Sequence, residues 1–208
     1  MKIGMIGSGM IARAVAELAL KKGHEIMFSN SRGPETIFTL RRTLGCQAGT
    51  VQAAIEFGDV IMIAIPLFAC SQLPAHLLKD KTLIDANNYY PERDGHIHEL
   101  DSHAMTTSEM LAKIIGTSHI VKAFNAIAAT DVHRAGKLDG SDKLRSLPVA
   151  GDNETDKKKV AEFIRSLGFS VVDAGTLKDS WRFEAGTPVY CVPLDADSLK
   201  EQLVRTSR

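Results

Sequence analysis

The chain has 208 residues, 44% of them hydrophobic, and its 25 Lys and Arg residues balance 25 Asp and Glu residues. This length and apolar content suffice for the core of one domain. The charge balance argues against nucleic acid or acidic lipid as partners, because no basic field is available to attract them. No apolar run approaches the roughly 20 residues of a membrane span, so a cytoplasmic protein is expected.

The chain begins with the pattern of a dinucleotide-binding unit. An apolar strand over residues 2–6 leads into Gly7-Ser8-Gly9-Met10-Ile11-Ala12. Gly7 permits a tight turn, Gly9 lets a pyrophosphate approach the backbone, and a small residue at position 12 brings the helix close to the sheet. The helix N-terminus then supplies an anion site without a basic side chain.

The residues after the second strand indicate which cofactor is bound. A strand over residues 25–29 is followed by Asn30-Ser31-Arg32-Gly33-Pro34. An NAD enzyme carries Asp or Glu here to accept the ribose hydroxyls. A serine hydroxyl and a guanidinium instead suit the 2′-phosphate of NADP, which a carboxylate would repel. The alternative is a polar loop that caps a helix begun by Pro34, with Arg32 merely solvated.

Strands and helices alternate along the rest of the chain. Between them lie turn residues such as Pro66, which ends a continuous apolar strand of the buried parallel kind. Asn153 has the character of a helix N-cap. The predicted strands cover residues 59–65, 82–86, 119–123, 147–151 and 170–173, and the predicted helices include residues 48–57 and 107–115. This alternation predicts an α/β fold, a doubly wound Rossmann-type sheet that is mostly parallel with helices on both faces.

We expect one dinucleotide-binding domain over residues 1–208. Its core would cover about residues 1–125, a βαβ extension about residues 140–177, and a C-terminal tail residues 178–208. The longest irregular segment, residues 89–103, is rich in charge and histidine. Long loops in compact domains are often functional.

Histidines and cysteines offer few candidates for chemistry. His96, His98 and His103, with Asp94 and Glu99, have the side chains of metal ligands, but their spacing favours a solvated loop, and no metal is predicted. The three cysteines are odd in number and widely spaced, which predicts reduced thiols.

Two weak candidates for a catalytic role are Tyr90 and His133. His133 follows Asp131 and could donate a proton, although a surface histidine at a helix start is the simpler interpretation. Tyr90, with Tyr89 and Trp181, could form a stacking wall for a flat ring or pack the loop onto the sheet.

Several segments together resemble one family of enzymes. They are the fingerprint at residues 7–12, the turn at 30–34, Ala64-Ile65-Pro66, Asp85-Ala86-Asn87-Asn88-Tyr89-Tyr90-Pro91, Lys122-Ala123-Phe124-Asn125 and Val149-Ala150-Gly151-Asp152. Their order and spacing look like those of the NADP oxidoreductases that include the NADPH-dependent reductases of the deazaflavin coenzyme F420. The resemblance runs to about Leu177. The fold is also similar to the cytosolic reductase domain of six-transmembrane metalloreductases, whose acceptor is a flavin.

The resemblance implies a set of cofactor-binding residues at the carboxyl ends of successive strands. It implies Gly7, Ser8, Gly9, Met10 and Ile11 at the pyrophosphate, Asn30, Ser31 and Arg32 at the 2′-phosphate, Ala64, Ile65 and Pro66 along the ribose and nicotinamide, and Asn87, Asn125 and Ala126 around the nicotinamide amide. The chain departs from the family pattern at Asn88-Tyr89-Tyr90 and in the segment from Trp181 to Pro193, both expected near the acceptor.

The expected activity is hydride transfer from NADPH to a flat heterocyclic acceptor, a flavin or a deazaflavin. Such an acceptor delocalises the arriving charge, so the protein mainly has to position two stacked rings and exclude water. One alternative is reduction of a small imine or carbonyl. Another is an NADPH-binding sensor without turnover. A homodimer is compatible with any of the three.

Overall fold

The computed structural model describes residues 1–208 as an eight-stranded sheet with a separate two-stranded hairpin. The strands are β1 (Lys2–Ile6), β2 (Glu25–Ser29), β3 (Gln47–Ala48), β4 (Val60–Ile63), β5 (Thr82–Asp85), β6 (Ile120–Lys122), β7 (Lys137–Leu138), β8 (Ser141–Leu144), β9 (Ser146–Gly151) and β10 (Ser170–Asp173).

Ten α-helices of four to thirteen residues connect and cover these strands, and three 3₁₀ turns lie at Pro34–Ile37, Leu67–Gln72 and Leu177–Phe183. The helices are α1 (Met10–Lys21), α2 (Phe38–Leu44), α3 (Val51–Phe57), α4 (Ala75–Leu78), α5 (Pro91–Asp94), α6 (His98–Asp101), α7 (Thr107–Ile115), α8 (Ala129–Val132), α9 (Glu154–Ser166) and α10 (Ala196–Arg205). None of them combines the length and apolar character that crossing a bilayer would require.

The sheet has the strand order of a Rossmann fold with an extension. Its order is β10-β9-β6-β5-β4-β1-β2-β3, and the six strands from β3 to β6 are parallel. In order along the sheet they read 3-2-1-4-5-6, the arrangement that binds dinucleotides where the order reverses, between β1 and β4. β9 runs antiparallel to β6, and β10 is parallel to β9. The prediction of a doubly wound, mostly parallel sheet is confirmed.

Apolar clusters on both faces explain why the central strands are continuously hydrophobic. On one face, α1 and α9 bury Val15 and Phe163 against Phe28 of β2. On the other face, Ile55 of α3 and Leu111 of α7 pack on the sheet. All four residues of β4 are buried, because a strand covered on both faces has no exposed side.

Capping side chains begin several helices where the sequence predicts. The Asn153 side chain accepts a hydrogen bond from the backbone N–H of Asp156 and caps α9. Thr106 and Glu109 form a capping box at the start of α7, which covers the predicted residues 107–115. Each cap satisfies helix N–H groups that would otherwise lack an acceptor.

Three segments differ from the sequence-based expectation. The helix expected over residues 48–57 begins only at Val51, since Gln47 and Ala48 pair with β2 at the sheet edge and Thr50 caps α3. The segment over residues 89–103 is less irregular than expected and contains α5 and α6. The hairpin of β7 and β8 is an addition that the apolar pattern did not predict, because all four residues of β8 are exposed.

Gly7 is a position where the fold requires glycine. Its φ is +108°, and a Cβ at this position would overlap the carbonyl oxygen of Ala64 at the end of β4. We expect Gly7→Ala to lower the free energy of unfolding by about 2–4 kcal/mol through backbone strain and overpacking. Urea unfolding monitored by circular dichroism measures this loss.

Gly9→Ala is the matched control for this prediction. Gly9 has a φ of −73°, and a Cβ there would meet no atom within 4 Å. Its free energy of unfolding should stay within about 1 kcal/mol of the parent protein. Equal losses in the two variants would contradict the steric argument.

Candidate functional site

A cleft of about 340 Å³ opens at the carboxyl ends of the central parallel strands. Ligands bind at this edge in open α/β sheets, because loops diverge there around a strand-order reversal. The residues that line the cleft are Gly9, Ile11, Ala64, Ile65, Pro66, Ala86, Asn87, Asn88, Tyr90, Arg93, Phe124, Asn125, Ile127 and Tyr190. Seven of them are among the predicted cofactor-binding residues, and Tyr90 is the one catalytic candidate among them.

The fingerprint turn forms one wall of the cleft. The Gly7 N–H donates to the Ser29 carbonyl oxygen at 3.0 Å, which joins the turn to the end of β2. Gly9 is the residue before α1, and the first turn of α1 has neither a side-chain cap nor an acidic residue. The space beside the Gly9 Cα is open, so an anion can reach the free N–H groups of the helix.

The turn after β2 presents Ser31 and Arg32 to solvent. The Asn30 Oδ1 accepts from the Arg32 N–H at 3.1 Å, and its Nδ2 donates to the Thr36 Oγ1 at 2.8 Å. Asn30 therefore shapes the turn with its side chain, while the Ser31 and Arg32 side chains are exposed. Met10, Ser31 and Arg32 do not line the cleft itself, and Met10 is also exposed.

The floor of the cleft is held by hydrogen bonds to Asn87. Its Oδ1 accepts from the Ile65 N–H at 3.0 Å, and its own N–H donates to the Asp85 Oδ1 at 3.0 Å. The Lys122 ammonium donates to the Asn87 carbonyl oxygen at 2.6 Å. Three elements, β4, β5 and β6, thus fix one asparagine at the point where they end.

Asn125 carries a buried oxygen without a donor. Its Nδ2 donates to the Asn88 Oδ1 at 3.1 Å and to the Phe183 carbonyl oxygen at 2.9 Å. The Asn125 Oδ1 is buried and has no hydrogen-bond partner. Buried polar atoms are nearly always paired, so this oxygen marks a place where a ligand can donate. The preceding residue, Phe124, has a φ of +62°, a strained conformation that directs Asn125 into the cleft.

Two tyrosines meet across the open side of the cleft. The Tyr90 and Tyr190 hydroxyls lie 2.7 Å apart, although 100 residues separate them. Burial and the hydrogen bond shared with Tyr90 raise the pKa of Tyr190 far above its usual value. The Arg93 guanidinium stacks over the Tyr90 ring at 4.9 Å and donates to the Asn88 carbonyl oxygen at 2.7 Å. This side of the cleft is therefore flat and aromatic, while the Arg93 charge is paired with the buried Asp94 carboxylate at 2.8 Å.

The other aromatic candidates do not join Tyr90. The Tyr89 hydroxyl donates to the Asp101 carboxylate at 2.7 Å and lines a second cavity of about 290 Å³. Trp181 lies against the guanidinium groups of Arg182 and Arg208. Tyr89 and Tyr90 therefore line different cavities, and Trp181 lines neither of them.

His133 and the loop histidines lie outside the cleft. His133 directly follows α8 rather than starting a helix, and its Nδ1 is 3.8 Å from the Glu17 carboxylate. The His96 Nδ1 lies 2.9 Å from the Asp101 carboxylate. The structure brings no three His, Cys, Asp or Glu side chains into an arrangement that could hold a metal ion.

Sequence reasoning missed three buried or half-buried groups that support the cleft: Asp85, Lys122 and Tyr190. A lysine within an apolar strand was the available signal for the first two, because such a lysine needs a buried partner. Cys70 lies beneath the same floor, and burial raises the pKa of its thiol to about 12. This thiol is therefore protonated at neutral pH.

Comparison with known sequences gives the family. Residues 2–89 match a family described as NADP oxidoreductase, coenzyme F420-dependent. This matched segment contains the fingerprint turn and the turn after β2, and its similarity is to that family. The family's cofactor is NADP and its enzyme class is oxidoreductase. The predictions of an NADP cofactor and of an oxidoreductase are confirmed by this match.

Curated relatives extend the similarity over most of the chain. Metalloreductase STEAP3 of Rattus norvegicus is 31% identical over 194 residues, which make up 92% of this chain. Metalloreductase STEAP2 of Mus musculus is 28% identical over 189 residues, or 88% of this chain. The chain spans only 37% and 35% of the lengths of these two relatives.

Solved structures share the fold. A hypothetical protein from Sinorhizobium meliloti has a TM-score of 0.79 at 26% identity, with 94% of this chain and 95% of that chain covered. A protein from Arthrobacter sp. FB24, provisionally described as an F420-dependent NADP-reductase, has a TM-score of 0.74 at 20% identity, with 86% and 87% covered. The latter similarity supports the fold alone.

The Tyr90–Tyr190 hydroxyl pair makes a prediction about stability. Tyr90→Phe and Tyr190→Phe should each lower the free energy of unfolding by about 1 kcal/mol, because each removes the same half-buried hydrogen bond. The free energy of unfolding of the double variant should then fall by about as much as that of either single variant, since the same hydrogen bond can be lost only once. Urea unfolding of the parent and three variants forms the complete cycle. Additive losses would show that the hydroxyls do not interact in solution.

Proposed function

We propose that this chain is an NADPH-dependent oxidoreductase that delivers a hydride to a flat heterocyclic acceptor such as a flavin or a deazaflavin. The observation that carries the proposal is the unpartnered Asn125 oxygen, buried in a cleft whose far wall is the open glycine turn. The glycine-turn end of the cleft can bind an anion, and the Asn125 end can accept a hydrogen bond from a ligand. A nicotinamide dinucleotide phosphate supplies both.

The residues present fit this cofactor along its length. In our proposal Gly7, Ser8, Gly9, Met10 and Ile11 hold the pyrophosphate. Asn30 shapes the turn from which Ser31 and Arg32 bind the 2′-phosphate through a hydroxyl and a fixed positive charge. Ala64, Ile65 and Pro66 form the apolar wall beside the ribose and nicotinamide.

Asn125 and Asn87 are proposed to orient the nicotinamide. The NH₂ group of the cofactor's carboxamide can donate a hydrogen bond to the Asn125 Oδ1. This oxygen has no partner within the protein. Ala126 follows in the same buried segment, and its methyl side chain is too small to obstruct the ring. Because hydrogen bonds already fix both asparagines, little ordering is required when the cofactor binds.

The chemistry proposed for the cleft relies on position rather than on proton transfer. Bound NADPH supplies the hydride from its C4 atom. No His, Asp or Glu is among the residues that line the cleft. Tyr190 is a poor proton donor, since burial and the hydrogen bond shared with Tyr90 raise its pKa. A flat acceptor that delocalises the incoming charge requires no donor, which favours it over a small imine or carbonyl.

The aromatic side of the cleft is the proposed place for the acceptor. Tyr90 and Tyr190 offer apolar rings, and the Arg93 guanidinium, ion-paired with Asp94, extends this flat surface by stacking on Tyr90. The relatives named metalloreductases are compatible with a flavin here, because a reduced flavin can pass electrons singly to a metal ion. In that case the metal ion is the final substrate.

Cofactor choice is tested by replacing Arg32. We expect the parent protein to bind NADPH much more tightly than NADH. Arg32→Ala should weaken NADPH binding by about 10- to 100-fold, the loss of one charge-assisted contact, and leave NADH binding unchanged. Isothermal titration calorimetry measures both affinities. Arg165→Ala, which removes an exposed guanidinium from α9, is the control and should bind like the parent.

Equal affinity of the parent protein for NADPH and NADH would contradict the assignment of the turn. Unchanged NADPH affinity in Arg32→Ala would instead remove Arg32 from the site and leave the cofactor itself in place. The two outcomes separate an error about the cofactor from an error about one residue.

The acceptor is tested by single-turnover oxidation of bound NADPH with a flavin and a deazaflavin. Tyr90→Ala should slow the reaction strongly through lost stacking, whereas Tyr90→Phe keeps the ring and should lose little. His133→Ala should slow the reaction by much less than the roughly 10²–10⁴-fold typical of a missing general acid. Failure of both flat acceptors, together with turnover of a small imine or aldehyde that collapses in His133→Ala, would overturn the proposal.

A further inference from the structure

A buried cluster of three charges lies beneath the nicotinamide end of the cleft. The Lys122 ammonium is 3.2 Å from the Asp85 carboxylate and 3.8 Å from the Glu184 carboxylate. The Asp85 and Lys122 side chains are fully buried, and only 18% of the Glu184 side chain is exposed. The C-terminal segment thus contributes a charge to a cluster that otherwise belongs to β5 and β6.

The cluster holds more negative charge than positive. Two carboxylates face one ammonium, and the start of α7 stabilises both carboxylates. The Ser108 hydroxyl donates to Asp85 at 2.5 Å, and the Thr107 N–H donates to Glu184 at 2.9 Å. Both carboxylates are thus held by hydrogen bonds from the first turn of α7.

Two contacts connect this cluster to the cleft. Lys122 donates to the carbonyl oxygen of Asn87, which lines the cleft. Phe183, the residue before Glu184, accepts from the Asn125 side chain through its carbonyl oxygen. Glu184 therefore directly follows the residue that contacts Asn125, which is proposed to orient the nicotinamide.

We propose that Glu184 sets the preference of the site between the oxidised and the reduced nicotinamide. This inference rests on the proposed function. The oxidised ring carries a positive charge and the reduced ring carries none, so a nearby carboxylate stabilises only the oxidised form. The Glu184 side chain is mostly buried, although it also borders the second cavity, so salt screens its field towards the cleft only in part.

The consequence is a bound cofactor that gives up its hydride more readily. A site that stabilises oxidised nicotinamide relative to reduced nicotinamide shifts the transfer equilibrium toward the acceptor. Lys122 and Asp85 remain as a neutral pair when the Glu184 charge is removed. The direction of the effect therefore depends on Glu184 alone.

The experiment compares the affinities of NADP⁺ and NADPH for the full chain. Glu184→Gln removes the charge and keeps an oxygen that can accept from the Thr107 N–H. The dissociation constant for NADP⁺ should rise about fivefold, while that for NADPH stays within about twofold. Isothermal titration calorimetry at two salt concentrations measures both, and circular dichroism confirms that each variant is folded.

Two further variants separate charge from structure. Glu184→Asp keeps the charge and should keep the parent's ratio of NADP⁺ to NADPH affinity within about twofold. Glu162→Gln removes an exposed carboxylate from α9 and should change neither affinity. An unfolded Glu184→Gln alongside a folded Glu184→Asp with an altered ratio would overturn the proposal.

Other outcomes are equally informative. Equal weakening of NADP⁺ and NADPH in Glu184→Gln would assign Glu184 a purely structural role and overturn the inference, as would an unchanged ratio. Failure of the parent protein to bind either nucleotide would overturn the proposed function instead.

Discussion

The geometry of the cleft depends on the contacts of the buried Lys122 ammonium with Asp85 and Asn87. A fully buried lysine is costly unless partners compensate its charge, and here the Asp85 carboxylate and the Asn87 carbonyl oxygen do so. Asn87 is held at its N–H, its carbonyl oxygen and its side-chain oxygen. The ends of β4, β5 and β6 are therefore locked together at the place proposed for the nicotinamide, which a productive site holds to within about 0.5 Å.

The two ends of the cleft are built by different physical means. The phosphate end depends on backbone, because Gly7 turns the chain and Gly9 leaves the helix N-terminus uncovered. The nicotinamide end depends on side chains whose polar atoms are satisfied within the protein, apart from the Asn125 oxygen. This division suits a ligand that is anionic at one end and a neutral or cationic amide-bearing ring at the other.

The C-terminal segment completes the site rather than trailing from the fold. Phe183 accepts from Asn125, Glu184 joins the Lys122 cluster, and Tyr190 meets Tyr90 across the cleft. The Tyr190 end of the segment is fixed because Val189 and Phe183 pack with Leu199 of α10 in a separate apolar cluster. The segment that departs from the family's sequence pattern thus contributes to the surface proposed for the acceptor.

Local pattern alone predicted the nucleotide fingerprint, the choice of NADP over NAD, the N-cap at Asn153, and seven of the ten strands to within a few residues. These features depend on neighbours along the chain, through backbone conformation, helical or strand periodicity and short-range hydrogen bonds. Tertiary structure decided the antiparallel entry of β9, the different cavities that Tyr89 and Tyr90 line, and the pairing of Lys122 with Asp85 and Glu184. Such contacts join residues far apart in the chain, and no periodic pattern encodes which of them meet, since that depends on the path of the whole backbone.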